Sequence, residues 1–111
     1  MKVESDDING DIVKDNATYV VIDNTTLNNL VLSKTILHPG KSTGGHTHVG
    51  QEEVYQFTYG KGTMEVGEKL FDVQTGDVVL IPDGLFHRVH NLSVVEDLVF
   101  VCVFDGKRSH Q

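Results

Sequence analysis

Three histidines and one glutamate have a spacing that could hold a metal ion. His46 and His48 are two residues apart, and residues two apart in a β-strand project from the same face. Glu53 follows five residues later, and His87 comes much later in the chain, directly after the turn signal Pro82-Asp83-Gly84. A histidine pair of this kind is equally common on a solvated strand face. The spacing alone therefore leaves both a metal site and a surface role open.

The elements that would position these residues are β-strands. Short runs of Val, Ile, Leu, Phe, Tyr and Thr are cut by Gly, Pro, Asn and Asp, and no capped stretch has the apolar spacing of a helix. Short strands separated by turn signals are typical of an all-β sandwich or barrel. The predicted strands are Tyr19–Ile22, Leu30–Leu37, Glu53–Tyr59, Thr63–Val66, Lys69–Val73, Asp77–Ile81, His87–His90 and Leu98–Phe104.

The four candidate residues belong to two longer patterns. The first is Gly40-x5-His46-x-His48-x4-Glu53-x6-Gly60, and the second is Gly76-x5-Pro82-x-Gly84-x2-His87-x3-Asn91. Both match the two sequence motifs of cupins at every defining position, and together they span 40–91, about half of the chain. The sequence therefore resembles the small single-domain cupins, in particular those similar to mannose-6-phosphate isomerase.

The resemblance implies both a fold and a metal site. It implies a double-stranded β-helix, which is a jelly-roll barrel of antiparallel strands, and one divalent ion held by His46, His48, Glu53 and His87. Imidazole and carboxylate ligands together suit Fe, Mn, Ni or Zn. We expect a single cupin domain over 1–111, with 1–15 as a mobile or strand-adding arm and 107–111 as a C-terminal tail.

Strand parity adds predictions about the barrel interior. Tyr55 and Phe57 share the parity of Glu53, so both should face inward near the metal, whereas Glu52 should face outward. Phe57 is predicted to pack in the core. For Tyr55 the alternatives are core packing and a tentative catalytic role as a substrate contact or proton donor. Cys102, within an apolar run, is predicted to be a buried structural thiol.

Four protein ligands on an octahedral ion would leave two open positions, and these define three candidate functions. We favour an isomerase or epimerase of a small sugar or another polar hydroxy-carbonyl substrate, whose two oxygens would chelate the ion. A dioxygenase and a non-catalytic ligand-binding cupin are the alternatives. The isomerase also needs a general base, which the sequence does not identify. The nearest cations in sequence for a substrate phosphate are Lys34, Lys41 and Arg88.

Composition narrows the partners. The formal net charge of −7 disfavours binding to nucleic acid or to an anionic membrane surface, so a small molecule is the expected ligand. The only cysteine is Cys102, and the first residues lack a basic start followed by an apolar stretch, which together favour a cytoplasmic location. We also expect a homodimer, in which Tyr19-Val20-Val21-Ile22 adds to the sheet of a neighbour.

Overall fold

The fold consists of antiparallel β-strands. The computed structural model describes residues 1–106, and in this part of the chain there are nine strands. They are β1 (Asp11–Asp15), β2 (Tyr19–Asn24), β3 (Val31–Leu37), β4 (Glu53–Tyr59), β5 (Lys61–Val66), β6 (Lys69–Gln74), β7 (Val78–Ile81), β8 (His87–His90) and β9 (Leu98–Phe104). The predicted tail at 107–111 lies outside the described residues. Within residues 1–106 there is no helix with the length and apolar composition needed to cross a membrane.

The strands form two sheets that face each other. The larger sheet has the order β1-β2-β3-β9-β4-β7, and the smaller has the order β6-β5-β8. Two isolated bridges, Ser42 with His90 and His46 with His87, place the segment 42–46 beside β8 and widen the smaller sheet. This arrangement confirms the all-β prediction and is consistent with a cupin jelly roll.

The core lies between the two sheets and follows strand alternation. In β3 every second residue is buried, and β4 alternates in the same way from Glu53 to Phe57, as expected when one face of a strand packs on the core. The side chains of Phe57, Met64, Leu98 and Leu37 are fully buried, and Phe57 lies 5.3 Å from the ring centre of Phe100. The predicted core position of Phe57 is therefore confirmed, and Cys102 is buried as predicted.

One strand was missing from the predicted set. All five residues of β1 are exposed, so its sequence carries no alternating apolar signal, and it forms because its backbone pairs with β2. The expectation that Tyr19-Val20-Val21-Ile22 adds to a neighbour's sheet is wrong. Both edges of that strand are already paired within the chain, with β1 on one side and β3 on the other.

The first ten residues fold back on the outer face of the larger sheet. Ile8 is 3% exposed, and its carbonyl accepts a hydrogen bond from Asn24 Nδ2 at 2.8 Å. Lys34 Nζ donates to the carbonyls of Ser5 at 2.6 Å and Asp6 at 2.8 Å. These contacts hold the ammonium group of Lys34 on the outside of the barrel, so it is not one of the cations of the predicted site.

Candidate metal centre

Backbone pairing brings the two distant motifs together. His46 and His87 form a closely hydrogen-bonded pair, in which each N–H donates to the other carbonyl at 3.0 and 2.9 Å. The carbonyl of His48 accepts from the N–H of Gly84 at 3.2 Å, which ties the loop before β4 to the turn before β8. The barrel closure therefore places the backbone of His87 beside that of the H-x-H pair.

Three of the four predicted ligands form a compact group. Ligand atoms of His48, Glu53 and His87 all lie within 4.8 Å of one another. Glu53 is 7% exposed and His87 is 4% exposed, whereas His48 is half-buried. A buried carboxylate and two imidazoles at this separation are suited to share one cation.

His46 lies at the rim of this group. Its ring centre is 5.4 Å from that of His48 and 6.3 Å from that of His87, but its side chain is exposed and its nitrogens are outside the compact group. The geometry thus brings the predicted four residues to one place, with three of them in ligand contact distance. That His46 completes the set by turning its ring inward stays a prediction.

The contact between Glu53 and His87 indicates which kind of ligand the site could hold. His87 Nε2 is 2.7 Å from Glu53 Oε2, and His87 Nδ1 is 3.2 Å from the carbonyl of Leu85, to which it donates when it carries the proton. In a neutral ring of that tautomer, Nε2 presents a lone pair to the carboxylate. Within residues 1–106, Glu53 Oε2 is a buried oxygen without a hydrogen-bond donor. Two acceptor atoms that face each other need a proton or a metal ion between them, so the imidazole nitrogen and the carboxylate oxygen are suited to bind a cation.

The histidines titrate differently because of this contact. Burial lowers the pKa of His87, but the carboxylate of Glu53 and the carbonyl of Leu85 outweigh burial, so the pKa is raised overall. The pKa of His46 is lowered, first by burial and then by the charges of His48, His87 and Lys14. His46 is therefore neutral near pH 7, the form in which imidazole binds metals.

Tyr55 lies under the metal group rather than at an open surface. It is 8% exposed, its ring stacks on Phe100 at 5.2 Å, and it meets the ring of His87 edge-on at 5.9 Å. Burial, with smaller contributions from Cys102 and Glu53, raises its pKa well above the usual range. The hydroxyl stays protonated at neutral pH, so Tyr55 can donate a hydrogen bond but cannot act as a base.

Several residues that support the site were not predicted from the sequence. Asp83 Oδ1 accepts from the N–H of Gly50 at 2.7 Å and so holds the turn between His48 and Glu53. Gln51 is 5% exposed, and it shares the parity of Glu53, which was the one available signal for it. Arg88 Nε donates to the carbonyl of Thr43 at 2.9 Å, which anchors the segment before His46.

The role of Asp83 gives a first prediction. Asp83→Ala removes the hydrogen bond to Gly50, and this should loosen the turn and weaken metal binding about fivefold. Asp72→Ala, an exposed acidic position on β6, serves as the control with the same change of charge. Metal affinity is measured by competition with a chelator, and equal affinities for the two variants would contradict a positioning role for Asp83.

Comparison with known proteins identifies the family. The family model described as "Cupin domain" matches residues 33–104, which is more than half of the chain. The chain belongs to the cupin family. Both motif histidine groups lie within the matched residues, so the cupin resemblance drawn from the sequence is confirmed.

Two curated proteins illustrate how this cupin relates to others. It is 34% identical over 67 residues to an oxalate-binding protein of Thermotoga maritima, and the aligned part covers 60% of this chain and 54% of that protein. It is 30% identical over 73 residues to an uncharacterised protein of Methanocaldococcus jannaschii, and the aligned part covers 66% of this chain and 58% of that protein. The cupin thus spans little more than half the length of these relatives.

Solved structures agree on the fold. A crystal structure of a predicted oxalate decarboxylase from Thermotoga maritima has a TM-score of 0.75 at 25% identity, covering 95% of this cupin and 98% of that chain. The structure of KdgF from Halomonas has a TM-score of 0.74 at 15% identity, and the match covers 85% of this cupin and 84% of KdgF. Oxalate decarboxylase of Bacillus subtilis, studied for its Mn(II) centres, has a TM-score of 0.74 at 24% identity, and the match covers 85% of this cupin and 27% of that chain. The last two similarities concern the fold alone.

Proposed function

We propose that this cupin is a metal-dependent protein that binds a small ligand through two neighbouring oxygen atoms. In this proposal one divalent ion is held by His46, His48, Glu53 and His87. The observation that carries it is the contact at 2.7 Å between Glu53 Oε2 and His87 Nε2 inside a compact group of ligand atoms. With neither a proton nor a metal ion between them, these two buried acceptors would cost folding free energy.

The burial of the four metal-binding side chains determines from which side a small molecule can reach the site. When bound, the ion would act as a Lewis acid toward a ligand oxygen. Glu53 and His87 are buried at the floor of the site, while His46 is exposed and His48 is half-buried. A ligand therefore reaches the site from the side of His46, and the buried floor keeps the carboxylate away from bulk water.

Oxalate is the most informative first probe. It has two neighbouring carboxylates, and a curated relative at 34% identity is named an oxalate-binding protein. Binding of oxalate to the metal-loaded protein, measured by calorimetry, is the expected result. The metal-free protein serves as the control, because chelation by two oxygens requires the ion. Equal heats from the two forms would contradict the proposal.

For the reaction we propose metal-assisted isomerisation or epimerisation of a hydroxy-carbonyl substrate, with a dioxygenase as the alternative and ligand binding without turnover as the third. Tyr55 is proposed to donate a hydrogen bond to the substrate, since its raised pKa keeps the proton on its hydroxyl. An isomerase should act without O₂ and introduce solvent deuterium at the substrate carbon. Stoichiometric O₂ uptake during turnover of a screened substrate would favour the dioxygenase.

Metal binding should weaken on acidification. A proton and the ion compete for the same nitrogen of His87, and the Glu53 contact raises the pKa of His87. As the pH falls through this raised pKa the proton displaces the metal, so affinity should decline from near neutrality and occupancy should be lost below about pH 6. Occupancy is followed by elemental analysis after dialysis. Full retention at about pH 4 with a chelator present would contradict ligation by histidine.

We also propose a two-fold homodimer formed through the outer face of the larger sheet. Val54 on β4 and Val78 and Leu80 on the edge strand β7 are 42%, 57% and 69% exposed and lie side by side on that face. Light scattering should give twice the chain mass of 12.3 kDa at micromolar concentration. Leu80→Lys should shift the mass toward one chain, whereas Val94→Lys, in an exposed loop, should not. A wild-type mass of one chain would contradict the dimer.

A further inference from the structure

The outer face of the smaller sheet carries a serine, a histidine and a glutamate in contact with one another. Ser42 Oγ lies 2.6 Å from Nδ1 of His90, and Nε2 of His90 lies 3.3 Å from Oε2 of Glu65. We call Ser42, His90 and Glu65 the outer triad. A hydroxyl in hydrogen-bond contact with a base, which a third group orients, is the arrangement that enzymes use for acyl transfer.

The outer triad is separate from the metal centre. On β8 the side chains of His87 and Val89 are buried in the barrel, so the alternate residue His90 faces outward. On β5 the side chain of Met64 is fully buried, so its neighbour Glu65 faces outward as well. The side chains of His90 and Glu65 are 23% and 35% exposed. The outer triad therefore lies on the opposite face of the sheet from the metal ligands, where a small molecule can reach it.

Strand pairing fixes the contact between Ser42 and His90. The two residues form an antiparallel bridge beside the end of β8. The backbone hydrogen bonds are made by the flanking pairs, which are Thr43 with Val89 and Lys41 with Asn91. Ser42 and His90 are thus a non-hydrogen-bonded pair, the kind in which opposite side chains come closest. The sheet itself therefore holds the hydroxyl against the imidazole.

The outer triad has the proton arrangement that activates a hydroxyl. In a neutral ring with its proton on Nε2, His90 directs that N–H toward Glu65 and accepts a hydrogen bond from Ser42 Oγ at Nδ1. The carboxylate favours this tautomer and stabilises the imidazolium that forms when Nδ1 takes the proton. His90 is therefore placed to act as a base toward Ser42.

Two donors beside Ser42 can bind the oxygen of an attacked carbonyl group. The N–H of Ser42 points away from β8 and has no hydrogen-bond acceptor within residues 1–106. Arg88 shares the outer face with His90, and its Nε donates to the carbonyl of Thr43 at 2.9 Å. This contact holds the guanidinium one residue from Ser42. Its remaining N–H groups can stabilise negative charge that develops there.

We propose that the outer triad is a second active site, which hydrolyses small carboxylic esters. Ser42 Oγ attacks the carbonyl carbon while its proton passes to His90 Nδ1. The bond between that carbon and the alcohol oxygen then breaks, and the leaving alcohol takes the proton from His90. Water next attacks the acyl-serine with His90 as the base, which releases the carboxylic acid and restores the hydroxyl. This reaction is independent of the proposed metal centre.

A fluorophosphonate probe tests the nucleophile, and 4-nitrophenyl acetate tests turnover. One probe molecule should bind covalently to metal-loaded wild type with loss of fluoride, and peptide mass spectrometry should locate it on Ser42. Ser42→Ala should abolish the label. His90→Gln should slow labelling about 100-fold, because it removes the base. Ester hydrolysis should fall to the same low level in both variants, and Glu65→Gln should slow it less than His90→Gln does.

Thr63→Ala is the matched control. Thr63 pairs with His90 from the other side and also carries a hydroxyl on the outer face, so its loss should leave labelling and hydrolysis unchanged. Thermal unfolding and elemental analysis verify that each variant is folded and keeps its metal. Wild type that takes no label, or takes it at a residue other than Ser42, would overturn the proposal whatever the variants do. Hydrolysis by folded Ser42→Ala at the wild-type rate would overturn it as well.

Discussion

Replacement of His48 and His87 by alanine in one variant is expected to abolish metal binding. These residues contribute two of the three closely spaced ligand atoms, and only Glu53 and the exposed His46 would remain. A site with two of four ligands loses most of its affinity, so occupancy should fall from about one ion per chain to less than about one tenth. Elemental analysis of extensively dialysed protein measures it.

The control is a histidine outside the centre. His38 follows the end of β3 that pairs with Leu98, whereas Glu53 pairs with Phe104 at the other end of β9. His38 contacts Asp97 at 3.5 Å, so His38→Ala should retain wild-type occupancy. Removal of the two imidazoles also leaves the buried carboxylate of Glu53 unpaired, so circular dichroism should verify the fold of the double variant. Wild-type occupancy in a folded double variant would rule out the site.

The second large effect concerns stability. Phe57 is fully buried between the sheets, in contact with the rings of Tyr55 and Phe100. Phe57→Ala should lower the free energy of unfolding by about 3–5 kcal/mol, since it leaves a cavity that the two sheets cannot close. Gln56→Ala, at an exposed position on the outer face of the same strand, should cost much less.

Chemical denaturation of the metal-free forms measures this difference without a contribution from the ion. A loss for Phe57→Ala no greater than that for Gln56→Ala would show that β4 presents its other face to the core. That result would also mean that the side chain of Glu53 points away from the barrel interior, because Glu53 and Phe57 lie on the same face of the strand. The stability experiment therefore tests the placement of the metal ligand independently of any metal.

Much of the fold and site was predictable because the sequence marks it locally. Strand alternation placed Glu53, Tyr55 and Phe57 inward and Glu52 outward, as the structure has them. Glycine and proline turns marked the ends of the other strands, and the two motifs identified the family. These signals depend on the residue types themselves and not on distant partners.

The features that were missed depend on register between distant strands. β1 is exposed on all five residues, so its pairing with β2 leaves no mark in its own sequence. An irregularity between Ile12 and Lys14 decides which side chains of β1 face inward. Lys34, which was considered as a cation for the site, is held on the outer face by the carbonyls of Ser5 and Asp6.

The same limit applies to polar residues of the inner face. Asp23 and Ser33 are ten residues apart in sequence, and only the pairing of β2 with β3 places them side by side. The exposed ring of His46 is a further case, because the spacing made it a candidate ligand but did not show that its ring would lie outside the compact group. Spacing identifies such residues as candidates but does not give their final orientation.

The most direct test of the metal centre is the anomalous diffraction of a crystal grown with zinc. A single strong peak is predicted between His46, His48, Glu53 and His87, with imidazole nitrogens at about 2.0–2.1 Å and the carboxylate oxygen at about 2.0–2.2 Å. Such a peak would also show whether His46 has turned inward. A crystal of zinc-saturated protein with no peak among these four side chains would contradict the account.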